Sequence, residues 1–233
     1  MKTGFFDESK RTICSGLIIF LIACLLLPYG SAFAVSADTA PYSDANIWAE
    51  EAILWAYTEG LMTGTTSTTF SPNVLVDRAM LVTILYRMAQ NDFGALQPVE
   101  SAEYADLDGS EYYYEAAMWA SANSIIPWQV DSAFSPFSPN SPVSRIEMVS
   151  AMLKYYYYCE KINFPEGPWS SLVPYEIPQQ YTDKDSINAG ADLAAIKWAM
   201  SQNLVSGKTE SSLAPYDTTT RAELATIIFR WKG

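Results

Sequence analysis

Histidine is absent from all 233 residues, and that gap removes a large share of enzyme chemistry. Without an imidazole there is no Ser-His-Asp or Cys-His nucleophilic system and no histidine-ligated metal site. Cysteine is scarce: of three residues, Cys14 and Cys24 lie in an N-terminal apolar segment, and Cys159 stands alone beyond it. A single thiol cannot make an internal disulfide, so the fold must be held by its core. Basic residues are few, 14 Lys and Arg against 26 Asp and Glu. That balance argues against a nucleic-acid partner and against adhesion to an anionic membrane.

What is present begins with a charged stretch, Lys2 to Arg11, an apolar run from Ile13 to Leu27, and the small-residue pattern Ala32-Phe33-Ala34. This order predicts a signal peptide, residues 1–34, cleaved after Ala34. The apolar run is shorter than the roughly 20 residues a membrane span needs, so no stable membrane insertion is expected after cleavage. Leu21-Ile22-Ala23-Cys24 has the shape of a lipoprotein processing site, but further apolar residues follow Cys24 and the Ala-x-Ala site lies later. Removing three basic and two acidic residues leaves 11 Lys and Arg against 24 Asp and Glu, a charge of −13. Only five arginines remain, and three of them fall in one recurring motif.

That motif is Thr220-Arg221-Ala222-Glu223, found again as Ser144-Arg145-Ile146-Glu147 and more loosely as Asp77-Arg78-Ala79-Met80. A Ser or Thr followed three residues on by Glu is a capping box and predicts a helix start. The arginine is out of place there, because the first turn already carries about half a positive charge. Its recurrence reads either as pairing with a nearby acid or as an anion site made of exposed N–H groups and a guanidinium fork. Around the motif the chain repeats. Tyr42-Ser43-Asp44, Tyr104-Ala105-Asp106 and Tyr181-Thr182-Asp183 each open a unit, and a Trp-Ala pair follows at Trp55, Trp119 and Trp198. Trp55 to Phe70 and Trp198 to Leu213 are both 15 residues, and Phe70 to Arg78 and Leu213 to Arg221 are both 8. Such periodicity makes three units, at 38–91, 102–161 and 179–233.

Within each unit the apolar spacing through the Trp predicts a first helix. It is expected to be capped by Asp44 and Asn46, Asp106 and Asp108, or Asp183 and Asp185. A loop follows, anchored by Phe70-Ser71-Pro72, Phe137-Ser138-Pro139 or Leu213-Ala214-Pro215, and then the capped second helix. A basic residue recurs nine positions after the motif arginine, at Arg87, Lys154 and Arg230, on the opposite helix face. Asp106-Leu107-Asp108-Gly109 has part of a calcium loop but lacks the full ligand series, and reads as a turn. No metal and no cofactor are expected. The proline-rich stretch Ile162 to Gln180 is expected to be extended, with Trp169 and Tyr175 packing on the bundle.

These units resemble S-layer homology repeats, whose pattern is an aromatic-x-Asp opening, a Trp/Ala helix, Gly-x-x-x-Gly, Phe-x-Pro and Thr-Arg-Ala-Glu. The resemblance runs from Tyr42 to Trp231. It implies an all-α, pseudo-threefold, three-pronged domain with a central core of one helix per unit, secreted to the cell wall or S-layer surface. It further implies a non-enzymatic module that binds cell-wall polysaccharide, a pyruvylated secondary polymer, in grooves between repeats. An envelope protein partner is a further possibility, and the alternative function is a structural or protein-interaction module with degenerate polymer sites. Carried over residue by residue, the ligand contacts are Arg78 with Asp106, Arg145 with Asp183 and Arg221 with Asp44, and Gly64 and Gly207 leave room on the loops. Unit two departs most: Trp128 stands where Gly64 and Gly207 stand. Trp128 is expected either to fill the groove of Arg145 or to offer a stacking face to a sugar; with the groove filled, the expected order of importance is Arg221, then Arg78, then Arg145.

Overall fold

Caps decide where the second helices begin. In a computed structural model, which describes residues 41–45, 47–98, 104–126, 128, 135–161 and 173–233, the Thr220 hydroxyl accepts from Glu223 N–H, and the Glu223 carboxylate accepts from Thr220 N–H at 2.8 Å. Ser144 and Glu147 form the same box. Asp77 accepts from Met80 N–H at 2.8 Å without a reciprocal acid, because Met80 stands in its place. Each such cap stabilises its helix by about 1 kcal/mol. The signal segment with its cleavage site, Asn46 and Trp169 fall outside the described residues.

Among the described residues six helices result: α1 (Glu50–Thr58), α2 (Arg78–Phe93), α3 (Tyr114–Ala122), α4 (Arg145–Cys159), α5 (Ala191–Ser201) and α6 (Arg221–Lys232), with a 3-10 turn at Lys184–Ser186. No strand occurs among the described residues, so the protein is all-α as expected. The first helices differ from expectation at their starts. Their N-caps are Ala49, Tyr113 and Gly190, and none makes a side-chain cap hydrogen bond. The opening aspartates are engaged elsewhere.

The order of packing is cyclic. Each second helix lies on the first helix of the next unit: α2 on α3, α4 on α5, and α6 back on α1. A triangle of backbone hydrogen bonds closes the ring just ahead of the second helices. Val76 N–H donates to Thr219 O at 2.8 Å, Thr219 N–H to Val143 O at 3.0 Å, and Val143 N–H to Val76 O at 2.8 Å. Isolated bridges Leu75 to Thr220, Asp77 to Pro142 and Ser144 to Thr218 flank it. The next two amides of each helix also reach the neighbouring unit: Arg78 and Ala79 donate to Ser141 O and Pro139 O, Arg145 and Ile146 to Asp217 O and Pro215 O, and Arg221 and Ala222 to Val74 O and Pro72 O.

One continuous apolar core fills the ring, with Trp119, Trp198, Tyr155, Phe70 and Phe137 each at most 2% exposed. Full burial of side chains of this kind is worth about 1.5–3 kcal/mol apiece. Tyr175 packs against the core and Val173 and Ile177 are within it, in a stretch without helix. The recurring basic residues fasten each unit internally. Arg87 donates to Leu61 O at 3.0 Å, Lys154 to Ile126 O at 2.7 Å and Arg230 to Leu204 O at 3.2 Å, all carbonyls just past the end of the first helix. At the far end of the second helices, the Asp92 carboxylate on α2 accepts from Tyr155 Oη on α4 at 2.8 Å and from Lys232 Nζ on α6 at 2.9 Å. Trp231 meets Tyr155 there edge-on.

Candidate functional site

Three grooves lie where a second helix meets the loop of the next unit, and each is built on one loop residue: Phe137, Leu213 or Phe70. The opening aspartate accepts from the N–H of that residue and of the next. Asp44 takes Phe70 and Ser71 at 2.7 and 2.8 Å, Asp106 takes Phe137 and Ser138 at 2.7 and 2.8 Å, and Asp183 takes Leu213 and Ala214 at 2.9 and 2.8 Å. These carboxylates therefore do not cap the first helices. They hold Ser71, Ser138 and Ala214 at φ of 60°, 56° and 50°, a left-handed conformation that costs a residue bearing a Cβ and must be imposed by its surroundings.

The motif arginine of the preceding unit grips the carbonyl of the same loop residue. Arg221 Nε donates to Phe70 O at 3.0 Å and Nη2 to Thr63 O at 2.6 Å; Arg145 Nε donates to Leu213 O at 3.2 Å and Nη2 to Ser206 O at 2.7 Å. Arg78 Nη1 donates to Phe137 O at 3.0 Å. The arginine and aspartate of each expected pair thus come to one residue from its two sides, in the expected ring order. No arginine forms a salt bridge among the described residues, so the pairing with an acid does not occur there. The backbone half of the anion-site reading does not hold either. The first two N–H groups of each second helix are taken by carbonyls of the next unit and the third by its own cap.

Burial separates the three arginines. Arg145 and Arg221 are 6% and 7% exposed, whereas Arg78 is partly exposed. Burial pulls the first two below the usual arginine value, partly offset by Glu223 and Asp217 beside Arg145, and by Tyr42, Tyr112, Asp44 and Asp77 around Arg221. Burial also raises the Asp44 carboxyl, but the N–H groups of Phe70 and Ser71 and the charge of Arg221 bring it below the ordinary value. In Asp183 the amides of Leu213 and Ala214 and the Ser212 hydroxyl likewise outweigh burial.

Gly64 and Gly207 are required by close packing. Gly64 N–H donates to Tyr42 Oη at 2.6 Å and Gly207 N–H to Tyr181 Oη at 3.2 Å. A Cβ on either would collide with that tyrosine ring and with loop carbonyls. Trp128 occupies the equivalent position in unit two, and its neighbour is not Arg145. The Arg78 guanidinium lies over the indole, 4.6 Å from its centroid, because the ring order brings α2, not α4, to the loop of unit two. The expectation for Arg145 is corrected accordingly. An open cleft of about 450 Å³ adjoins this groove, lined by Asp106, Ser138, Pro139, Asn140, Ser141 and Pro142.

The Asp106–Gly109 stretch behaves as the turn expected, and the run of tyrosines on α4 as packing. Asp108 accepts from Ser110 N–H at 2.9 Å, closing a turn, and Tyr155 to Tyr158 are in or against the core. The Asp92 cluster was not foreseen, since nothing repeats at that position. Among the described residues no group of acids and cysteine is arranged to hold a metal ion, and no helix is long and apolar enough to cross a membrane.

Comparison with known proteins bears on the first and third units. The S-layer homology domain pattern matches residues 41–79 and 180–225, which fall in units one and three and leave out the divergent second unit. An endoglucanase of Bacillus sp. (strain KSM-635) is 27% identical over 232 residues, which are 97% of this chain and 22% of that protein. The chain therefore spans about a fifth of the length of that relative. S-layer homology domains are themselves non-catalytic and attach proteins to the cell wall and surface. With its repeated capping motif, its ring of helix pairs and these matches, the chain carries S-layer homology domain sequence at residues 41–79 and 180–225.

Proposed function

We infer that the chain attaches non-covalently to the bacterial cell wall by taking up a carboxylate-bearing, pyruvylated secondary glycopolymer in the grooves between units. The observation that carries this reading is the thrice-built junction in which Arg78 with Asp106, Arg145 with Asp183, and Arg221 with Asp44 hold the N–H and C=O of one loop residue. The arrangement gives each groove a fixed cation and a fixed carboxylate beside a polar loop, which suits an acidic sugar. Gly64 and Gly207 let the loop backbone pack closely against the tyrosine at two of the grooves. The module works outside the cell membrane, without catalysis of its own, and its partner is the polymer.

A second reading is favoured by one feature. Arg145 and Arg221 already give two hydrogen bonds each to protein carbonyls, as in a structural or protein-interaction module whose polymer sites have degenerated. Retention on purified cell-wall sacculi separates the two. Binding to untreated sacculi that is lost after acid stripping of the secondary polymer supports polymer attachment; equal retention on stripped sacculi refutes it.

A further inference from the structure

Among the described residues four ion pairs occur, and three of them have a partner that is more than half exposed. The fourth is different. Lys232 Nζ lies 2.9 Å from Asp92 Oδ2, and the two side chains are only 19% and 14% exposed. The pair sits where the ends of α2, α4 and α6 meet. From α4 the Tyr155 hydroxyl donates to the same Asp92 oxygen at 2.8 Å, and the Cys159 thiol faces that oxygen at 3.9 Å. The rings of Trp231 and Tyr155 lie with their centroids 5.4 and 5.9 Å from Nζ.

Tyr155 is fully buried. Burial, with Cys159 and Asp92 beside it, raises the phenol far above its ordinary value, so the hydroxyl remains a donor. An amine, a carboxyl group and a fixed donor, held in contact against aromatic rings, are the components of an amide condensation. Contact replaces a bimolecular encounter. Partial exclusion of water lowers the cost of passing an ammonium proton to an acid, and a fixed O–H stabilises the charge that develops on the carboxyl oxygen under attack.

We propose that Asp92 and Lys232 join as a side-chain amide, a covalent modification that ties the end of α2 to the end of α6. The Lys232 nitrogen forms a C–N bond to Asp92 Cγ, and the Tyr155 hydroxyl supports the negative charge on Oδ2 in the tetrahedral intermediate. The Cγ–Oδ1 bond then breaks, and Oδ1 leaves as water with the two protons that the ammonium group gives up. Nothing is oxidised or reduced, and no co-reactant is needed. The link spans 140 residues and closes the ring at the end where no contact is repeated. Cys159 is the one cysteine among the described residues, so no disulfide does this there. The crosslink is independent of polymer binding.

Peptide mapping of the full chain tests it. Trypsin cuts after Arg87, Arg145 and Arg230, and no Lys or Arg lies between 87 and 145. The crosslinked protein is therefore expected to yield Met88 to Arg145 joined to Trp231-Lys232-Gly233, lighter by one water than the two peptides together. Wild type held overnight at neutral pH is expected to give this species, and Asp92→Ala and Lys232→Arg to give the separate peptides alone. Tyr155→Phe, folded by circular dichroism, keeps the ring and loses the donor. In a time course after cell-free synthesis it is expected to join about a hundredfold more slowly. Separate peptides from folded wild type refute the crosslink. A loss of water at Asp92 that persists in Lys232→Arg refutes Lys232 as the nucleophile. Joining by Tyr155→Phe at the wild-type rate refutes the role of the hydroxyl.

Discussion

The two ends of the second helices α2, α4 and α6 are held in opposite ways. At their N-termini the units meet through backbone groups, and the contacts occur three times over: a triangle of amides at Val76, Val143 and Thr219, then two more amides per helix. At their C-termini they meet through side chains that occur once, with Asp92, Tyr155 and Lys232 each from a different second helix. Pseudo-symmetry therefore resides where the chain uses atoms every residue has. It is lost where particular side chains are needed. The first end can tolerate divergence in sequence, as unit two shows; the second depends on single residues.

The largest expected effect comes from removing a clamp at the symmetric end. Arg221→Ala leaves the carbonyls of Phe70 and Thr63 without the donors they now have, and losing two charge-assisted hydrogen bonds should cost about 3–5 kcal/mol. Arg78→Ala removes one such bond and should cost about 1–2 kcal/mol. Urea unfolding that ranked these two the other way would show that burial of the guanidinium does not govern its structural weight. At the asymmetric end, Asp92→Ala leaves Lys232 and the Tyr155 hydroxyl without their shared acceptor, in a site where the two charged side chains are 19% and 14% exposed. A loss of about 2–3 kcal/mol is expected. An unchanged midpoint would mean that the N-terminal triangle alone holds the units together.

Acid should act on the loops. The Asp44 and Asp183 carboxyls sit below their ordinary value in the folded chain. Their contribution is complete above the unfolded carboxylate value of about 4 and disappears as pH falls through the lower folded value. Stability measured from pH 6 downward should therefore drop below about pH 4, and Asp183→Asn should flatten part of that drop. The smallest effect sharpens the symmetry itself. Thr219 is fully buried with its hydroxyl unpartnered among the described residues, where the other two units have Val76 and Val143. Thr219→Val should stabilise by about 1 kcal/mol, detectable as a higher thermal midpoint.

Much of this architecture was legible because it rests on spacing. The boxes at Ser144 and Thr220 and the cap at Asp77 follow from residues at fixed intervals, whereas the ring order that sends Arg78 to the loop of Asp106 was implied by the resemblance to S-layer homology repeats. The partners of the arginines were not legible, because carbonyls such as Phe70 O and Thr63 O carry no signature in a sequence. For the same reason Asp44, Asp106 and Asp183 resembled local caps when their acceptor atoms serve amides some 26 to 32 residues away. Trp128 was assigned to the wrong arginine because it was counted with the helix of its own unit, whereas each groove joins a loop to the helix of the unit before it. Asp92 escaped notice because a residue without counterparts cannot be found by comparing repeats.

Closing the ring has a consequence for the order of events as the chain is made. The helix that covers α1 is α6, and the contacts joining them bracket nearly the whole domain: Arg221 reaches Phe70 and Thr63 across 151 and 158 residues. Until α6 has been synthesised and released, Ile53, Ala56 and the partly buried Trp55 lack their covering surface. No early unit can reach its final state before the last one arrives. Contacts so distant along the chain make for slow folding with late gain of protection. Hydrogen exchange followed during refolding should accordingly show the amides of α1 becoming protected together with those of α6, although they belong to opposite ends of the polypeptide.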